Sequence, residues 1–258
     1  MLSALKNSAI AWQVRRTSLW TWYRRSAAQA AEIGFYERLL SASTPGCIVD
    51  VGANTGGKTE IFLNLASHVV AVEPDPVSAD TLRKRFRWKA VKVRESAISS
   101  ESGRIIFYRF AAGSAFNTVS VEWVQSMIDG SNHMRQRLPQ PTSLEVRAET
   151  IADLEAECRP VKYLKIDTEG FEDKVLSTLT VPIPLISMEF NFPQMWDAML
   201  ACVRTLRNID GGYLFNVAIT EPPITFASDT WLGGDEIVSA IQSRGWMYVE
   251  LYARLTSS

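Results

Sequence analysis

The stretch Asp50-Val51-Gly52-Ala53-Asn54-Thr55-Gly56 directly follows a buried-strand run that begins at Cys47 and directly precedes a helical period, and this placement constrains the fold more than any other feature of the chain. A strand entering a helix through a glycine-rich turn is the opening unit of an open α/β sheet, because glycine takes the tight turn and lets a ligand approach the backbone. The alternation then continues. Short β-branched runs predict strands at Cys47 to Val51, His68 to Glu73, Val91 to Glu95, Ile105 to Phe110, Tyr163 to Asp167, Leu185 to Phe190, Tyr213 to Ile219 and Met247 to Ala253. Helical spacing predicts helices at Lys58 to Ala66, Ser78 to Arg87, Phe171 to Thr180, Asp197 to Ile209 and Gly234 to Gly245. The order is that of a mostly parallel sheet with helices on both faces. Ser99 to Gly103 reads as a hairpin turn between Val91 to Glu95 and Ile105 to Phe110, and the polar residues 111–145 read as a long loop or lid.

Two strand ends carry the chemistry. Gly52 and Gly56 flank a turn whose following helix offers unpaired amides, and one crossover later Glu73, before Pro74, stands where a carboxylate takes both hydroxyls of a ribose. Together they predict a nucleoside ligand. The dinucleotide fingerprint is absent, since Asn54 occupies its second glycine position. Gly52 to Thr59 does satisfy the P-loop spelling, with Gly57, Lys58 and Thr59 in place, so a nucleotide-dependent phosphotransferase or hydrolase is a rival reading. That reading gives no role to Asp50 or Glu73. The second strand end is Lys165-Ile166-Asp167-Thr168-Glu169-Gly170, and the next strand adds Glu189 and Asn191 to the same rim. Glu172 and Asp173 read as solvated charges favourable to a helix N-terminus.

Charge and cysteine content narrow the classes. Lys and Arg number 27 against 28 for Asp and Glu, so the chain lacks the global positive field of a non-specific nucleic-acid binder, and no nucleic-acid partner is expected. Cys47, Cys158 and Cys202 are widely spaced and fit neither a disulfide framework nor a zinc knuckle, which makes a reducing, cytoplasmic setting the expectation. His68 and His133 are distant from each other and from the cysteines in sequence, so no metal site is expected. Lys6, Arg15, Arg16, Arg24 and Arg25 interrupt any early apolar run, and no transmembrane segment is expected. Residues 1–44 read as a helical extension, with two short helices in Ala9 to Ser26, capped at Thr17 or Ser18, and another over Ala27 to Leu40. Docking of residues 9–26 on the main domain, 45–258, is preferred to peripheral membrane contact, because Arg15 and Arg24 fall about 180° apart on one helix.

These residues resemble the FkbM-type, S-adenosylmethionine-dependent methyltransferases. The resemblance rests on Val49 to Gly56, on Val70-Ala71-Val72-Glu73-Pro74-Asp75-Pro76, on Ala97-Ile98-Ser99 before Gly103, and on Lys165 to Gly170, with Thr150 to Leu154 a looser match departing at Ile151 and Ala152. It covers about Gly46 to Phe190. The resemblance implies a class I methyltransferase fold, Rossmann-like with seven strands, and S-adenosyl-L-methionine as cofactor. Asp50, Gly52, Ala53, Asn54, Thr55 and Gly56 would hold its methionine part, Glu73 and Pro74 its ribose, Ser96 and Ala97 its adenine, with Asp167 beside them.

Methyl transfer needs alignment, and a hydroxyl acceptor also needs a base. Asp167 is the first candidate, Glu169 and Glu189 the next, and His133 in the lid the last. Trp123 is the one tryptophan expected to offer a stacking face to an acceptor. The expected activity is O-methylation of a hydroxyl on a sugar, glycan or small metabolite, with the P-loop enzyme and a non-catalytic cofactor-binding module as alternatives.

Overall fold

The computed structural model describes residues 18–40, 46–132, 134–219 and 224–256, with side chains from residue 29 on. His133 and residues 1–17 therefore lie outside the described residues, and with them the proposed cap at Thr17. In chain order the elements are α1 (Ser18–Leu40), β1 (Cys47–Val51), α2 (Gly57–Phe62), β2 (Val69–Val72), α3 (Pro76–Arg85), β3 (Val91–Arg94), β4 (Ala97–Ile98), β5 (Gly103–Arg109), α4 (Val121–Asp129), β6 (Thr142–Glu149), α5 (Ile151–Glu155), β7 (Val161–Ile166), α6 (Glu172–Leu176), β8 (Leu185–Asn191), α7 (Trp196–Ile209), β9 (Tyr213–Ile219), β10 (Thr225–Phe226), α8 (Gly234–Arg244) and β11 (Tyr248–Leu255). Among the described residues no helix is long and apolar enough to cross a membrane.

The chain divides into two compact units, Met1–Ala42 with Thr220–Thr225, and Ser43–Ile219 with Phe226–Ser258. In the first, α1 runs unbroken through the Ser26 to Ala27 boundary where separate helices were expected. Alanines at 27, 28, 30 and 31 explain the continuity, since no glycine or proline interrupts the segment there.

The main sheet runs in the order β10-β9-β11-β8-β7-β1-β2-β3, and its strands from β9 to β3 belong to the second unit. Strands β3, β2, β1, β7 and β8 are mutually parallel, and β11 enters antiparallel between β8 and β9. The expected seven strands thus become eight with the two-residue β10. Alternation along the strands sends Val49, Val51, Leu164, Ile166, Met188, Phe190 and Leu251 into one continuous apolar core. At roughly 25 cal/mol per Å² of buried apolar area, such a face is the main source of stability.

Three expectations are corrected. The hairpin across Ser99 to Gly103 does not form, because β3 edges the main sheet while β5 pairs antiparallel with β6, from Gly103 opposite Ala148 to Arg109 opposite Thr142. Residues 111–145 are not wholly a loop: Ser120 caps α4 by accepting from the Trp123 amide at 3.1 Å, Trp123, Val124 and Met127 bury one side of that helix, and β6 begins at Thr142. Finally, Cys47 and Cys158 form a disulfide with their Cα atoms 5.7 Å apart, and His68 joins them in space despite the distance in sequence. Only Cys202 is free among the described cysteines, and it is buried.

Candidate functional site

A cleft opens where β1, β2 and β7 end, enclosing about 650 Å³ including its open mouth. Of the residues expected to hold a cofactor, Gly52, Asn54, Glu73, Pro74, Ser96, Ala97 and Asp167 line it; Asp50, Ala53, Thr55 and Gly56 do not. Gly52 has φ of 78°, and a Cβ there would lie 1.8 Å from the Asp167 carbonyl oxygen. Only glycine lets the β1 turn pass that close to the β7 end. The amides of Gly52 and Ala53 both donate to the Val72 carbonyl at 3.0 Å, which ties this turn to β2.

Glu73 is held from both sides. Its Oε2 accepts from the Asn54 amide at 2.8 Å and its Oε1 from the Asp75 amide at 2.7 Å, which fixes the carboxylate plane and leaves each oxygen a further lone pair. Burial pushes its carboxyl up to about 7, against the pull of those two amides. Behind the turn, Asp50 is fully buried, accepts from the Thr59 hydroxyl at 2.6 Å, and lies 3.9 Å from the Lys165 ammonium. Burial raises its carboxyl too, with Lys165 opposing.

The segment between β5 and α4 is fastened over this cleft. Asp75 accepts from the Gly113 amide at 3.0 Å while capping α3 through the Val77 amide. At the other end the Thr118 hydroxyl is hydrogen-bonded to the Glu169 carbonyl at 2.8 Å. Ser114, Ala115 and Asn117 thereby reach the lining. Trp123 does not: it is 2% exposed and packs beneath Gly170, so it presents no face to an acceptor. Below the adenine-side residues, Glu149 of β6 accepts from Ser96 Oγ at 2.5 Å and pairs with Arg94.

At the β7 end, carboxylates converge. Oxygens of Asp167, Glu169 and Glu189 lie within 4.8 Å of one another, and Lys165 Nζ donates to Asp167 Oδ2 at 2.8 Å. Burial and the neighbouring Asp167 charge push Glu189 up to about 8, and the same causes raise Glu169. Burial alone would lower Lys165, but Asp167 and Asp50 hold it above its ordinary value. Glu169 lines the cleft, at φ of 56°, whereas Glu189 stands outside the lining. Glu172 is not solvated as expected: it is fully buried and accepts from the Thr168 amide at 2.8 Å and the Gly170 amide at 3.1 Å, holding the turn that presents Glu169. Asp173, by contrast, pairs with Lys174 at the surface.

The description of the methyltransferase FkbM domain matches residues 50–210, most of the chain that forms this cleft. The chain belongs to the FkbM methyltransferase family. S-adenosylmethionine is accordingly its cofactor. No curated protein matches it. Similar solved structures include an S-adenosylmethionine-dependent O-methyltransferase of Thermotoga maritima, with 10% identity, a TM-score of 0.38, 88% of this chain covered and only 66% of the other. A precorrin-6y C5,15-methyltransferase of Geobacter metallireducens gives 14%, 0.40, 90% and 86%. A TehB-like methyltransferase of Corynebacterium glutamicum gives 10%, 0.42, 92% and 96%.

The P-loop rival finds no support in the hydrogen bonds of this FkbM domain. A phosphate cradle needs outward-facing loop amides and a hydroxyl free for magnesium. Here the amides of Gly52, Ala53, Asn54 and Gly56 are all satisfied within the fold, and the Thr59 hydroxyl is buried on Asp50.

Proposed function

We propose that this FkbM methyltransferase methylates a hydroxyl group of a sugar, glycan or small metabolite. What supports this most is the convergence of Asp167, Glu169 and Glu189 beside the cofactor cleft, because an alcohol, unlike a more nucleophilic amine or thiolate, needs a base at the moment of attack. Bound S-adenosylmethionine supplies a methyl group already activated on a sulfonium sulfur. The chain's own residues then hold and exclude. Glu73 takes the ribose hydroxyls with the lone pairs its two amide donors leave free, Ser96 and Ala97 flank the adenine, and Gly52 and Asn54 border the methionine part. Asp50, Ala53, Thr55 and Gly56 act by shaping that turn.

Among the bases, Glu169 takes first place over Asp167. Both line the cleft, but Asp167 is engaged in an ion pair with Lys165, whereas burial and the Asp167 charge raise the Glu169 carboxyl and make it the stronger proton acceptor. Asp167 keeps Lys165 in position and closes the floor beneath Gly52. The acidic rim also repels a polyanion, which favours a small hydroxyl acceptor over nucleic acid.

The test is transfer of labelled methyl from S-adenosylmethionine to a panel of sugar, glycan and small alcohol acceptors, with an RNA arm. Glu169→Gln is expected to lower kcat by about 10² or more while leaving the affinity for S-adenosylhomocysteine unchanged. Wild-type turnover by Glu169→Gln removes it as base, and methylation of RNA alone overturns the acceptor class.

A further inference from the structure

Charge is unbalanced on the face of the main sheet that carries Asp50. Strand alternation places Lys165 of β7, Ser187, Glu189 and Asn191 of β8, and Glu250 of β11 on that one side. The register sets Lys165 beside Ser187 and Glu189 beside Glu250. Asp167, Glu169 and Asp50 add three more carboxylates, and the Lys165 ammonium among them is paired with Asp167 and lies 3.9 Å from Asp50. The oxygens of Asp167, Glu169 and Glu189 are no more than 4.8 Å apart. Ligands on opposite sides of one ion are separated by twice the bond length, about 4.2 Å for magnesium and about 4.6–5.2 Å for calcium. Oxygens within that limit of one another can reach a single hard ion together.

An independent observation comes from a neutral group. Asn191 is 3% exposed and its Oδ1 has no hydrogen-bond partner. It stands two residues past Glu189 on the same side of β8, toward the carboxyl end where the acids converge. A buried amide oxygen without a donor is costly. An amide oxygen beside carboxylates is also the mixed donor set that hard cations take.

The geometry points to a divalent-cation site of the magnesium, manganese or calcium class, held by Asp167, Glu169 and Glu189, with Asn191 on the same side of β8 to add an amide oxygen. Its purpose rests on the O-methylation reading: an ion there takes the acceptor oxygen as a further ligand and makes its proton easier to remove, and a carboxylate oxygen not bound to the ion receives that proton. Counting histidines and cysteines misses such a site, because hard ions choose oxygen.

The test uses the full chain freed of metal by chelation, with manganese chloride alone as probe, read by loss of the free-ion paramagnetic resonance signal, and magnesium or calcium chloride as competitor. One saturable manganese site is expected, displaced by the competitors and weakened about tenfold or more by Glu189→Gln and by Glu169→Gln. Circular dichroism of both variants and their affinity for S-adenosylhomocysteine by calorimetry should match wild type. Protein that binds S-adenosylhomocysteine but shows no saturable manganese site overturns the cation site and leaves methyl transfer standing. Manganese binding that both substitutions leave intact overturns it as well. Variant-sensitive manganese binding in protein that ignores S-adenosylhomocysteine supports the cation site and sinks the methyl-transfer reading instead.

Discussion

The two faces of the main sheet are built from alternate residues of the same strands, yet they are held together in different ways. One face presents Val49, Val51, Leu164, Ile166, Met188 and Phe190 to a continuous apolar core with β11 and α7. The other presents Asp50, Tyr163, Lys165, Ser187 and Glu189, linked by contacts such as Tyr163 to Ser187 at 2.7 Å and Lys165 to Asp167 at 2.8 Å. Apolar burial is roughly additive, so the first face tolerates losing a member in proportion to the volume lost. A buried polar set is not additive: each removal strands whichever groups remain. Val51 and Val72 of the first face also reach the cofactor cleft, but its carboxylates Glu73 and Asp167 continue the second. Chemistry and fragility therefore share one side of the sheet.

Lys165 gives the largest expected effect. Lys165→Met removes the buried ammonium that pairs with Asp167 and lies beside Asp50, and should cost about 3–5 kcal/mol of unfolding free energy in urea titrations. Leu164→Ala, on the adjacent residue facing the other way, should cost about 2–5 kcal/mol through its cavity. Similar totals conceal different causes, and a double variant separates them. Adding Asp167→Asn should recover part of the Lys165→Met loss, whereas the same change should simply add to Leu164→Ala. A Lys165→Met cost below about 1 kcal/mol, or strict additivity in both pairs, would erase the distinction between the faces.

The sequence carried one face better than the other. Runs such as Cys47 to Val51 and Leu185 to Phe190 marked strands because both faces are buried there, and strand ends such as Gly52, Glu73 and Asp167 were legible as a rim because parallel sheets bind ligands at their carboxyl ends. Partnership was not legible. Nothing in the spelling of Glu172 distinguishes a solvated helix-start acid from one accepting two buried amides, and nothing near Asp50 says that its partners are Thr59 and Lys165. The β6 strand was readable in Leu144, Val146 and Ala148 alternating with polar residues, but its Ser, Thr and Glu content resembles loop composition. Trp123 shows the converse: a polar neighbourhood in sequence became a buried one through the α4 cap at Ser120.

A pH titration sharpens the comparison at smaller scale. Burial raises Glu73 and Glu172 to about 7 from an ordinary value of 4.5. Both are protonated in folded and unfolded chains below about 4.5, so their contribution to stability is fully present there, and it is lost as pH rises through about 7 because the folded state must then ionise a buried carboxyl. The cofactor-free protein should therefore lose on the order of 1–3 kcal/mol per carboxyl across that window. Denaturant midpoints measured between pH 4.5 and 8 should show this decline, shallower in a Glu73→Gln and Glu172→Gln double variant. Leu164→Ala should shift the whole curve down and keep its slope; a flattened curve in that variant would mean that the apolar face sets the titration.

The smallest effect should come from a site on neither face. Thr150 and Asp153 cap α5 reciprocally, Thr150 Oγ1 accepting from the Asp153 amide at 3.2 Å and Asp153 Oδ2 accepting from the Thr150 amide at 2.9 Å. Thr150→Ala removes one of these bonds near solvent, where water replaces part of it, and should cost about 1 kcal/mol. Because α5 leads through the Cys158 loop into β7, this substitution also asks whether the second face responds to strain arriving from outside the sheet. The expected result is a parallel downward shift of the pH curve with S-adenosylhomocysteine affinity unchanged, since the register of β1 against β7 is fixed by their own ladder from Ile48 opposite Tyr163 to Val51 opposite Ile166. A cap loss that weakened ligand affinity would place part of the control of the Asp167 end in the chain entering β7, and the polar face could then no longer be treated as a self-contained set.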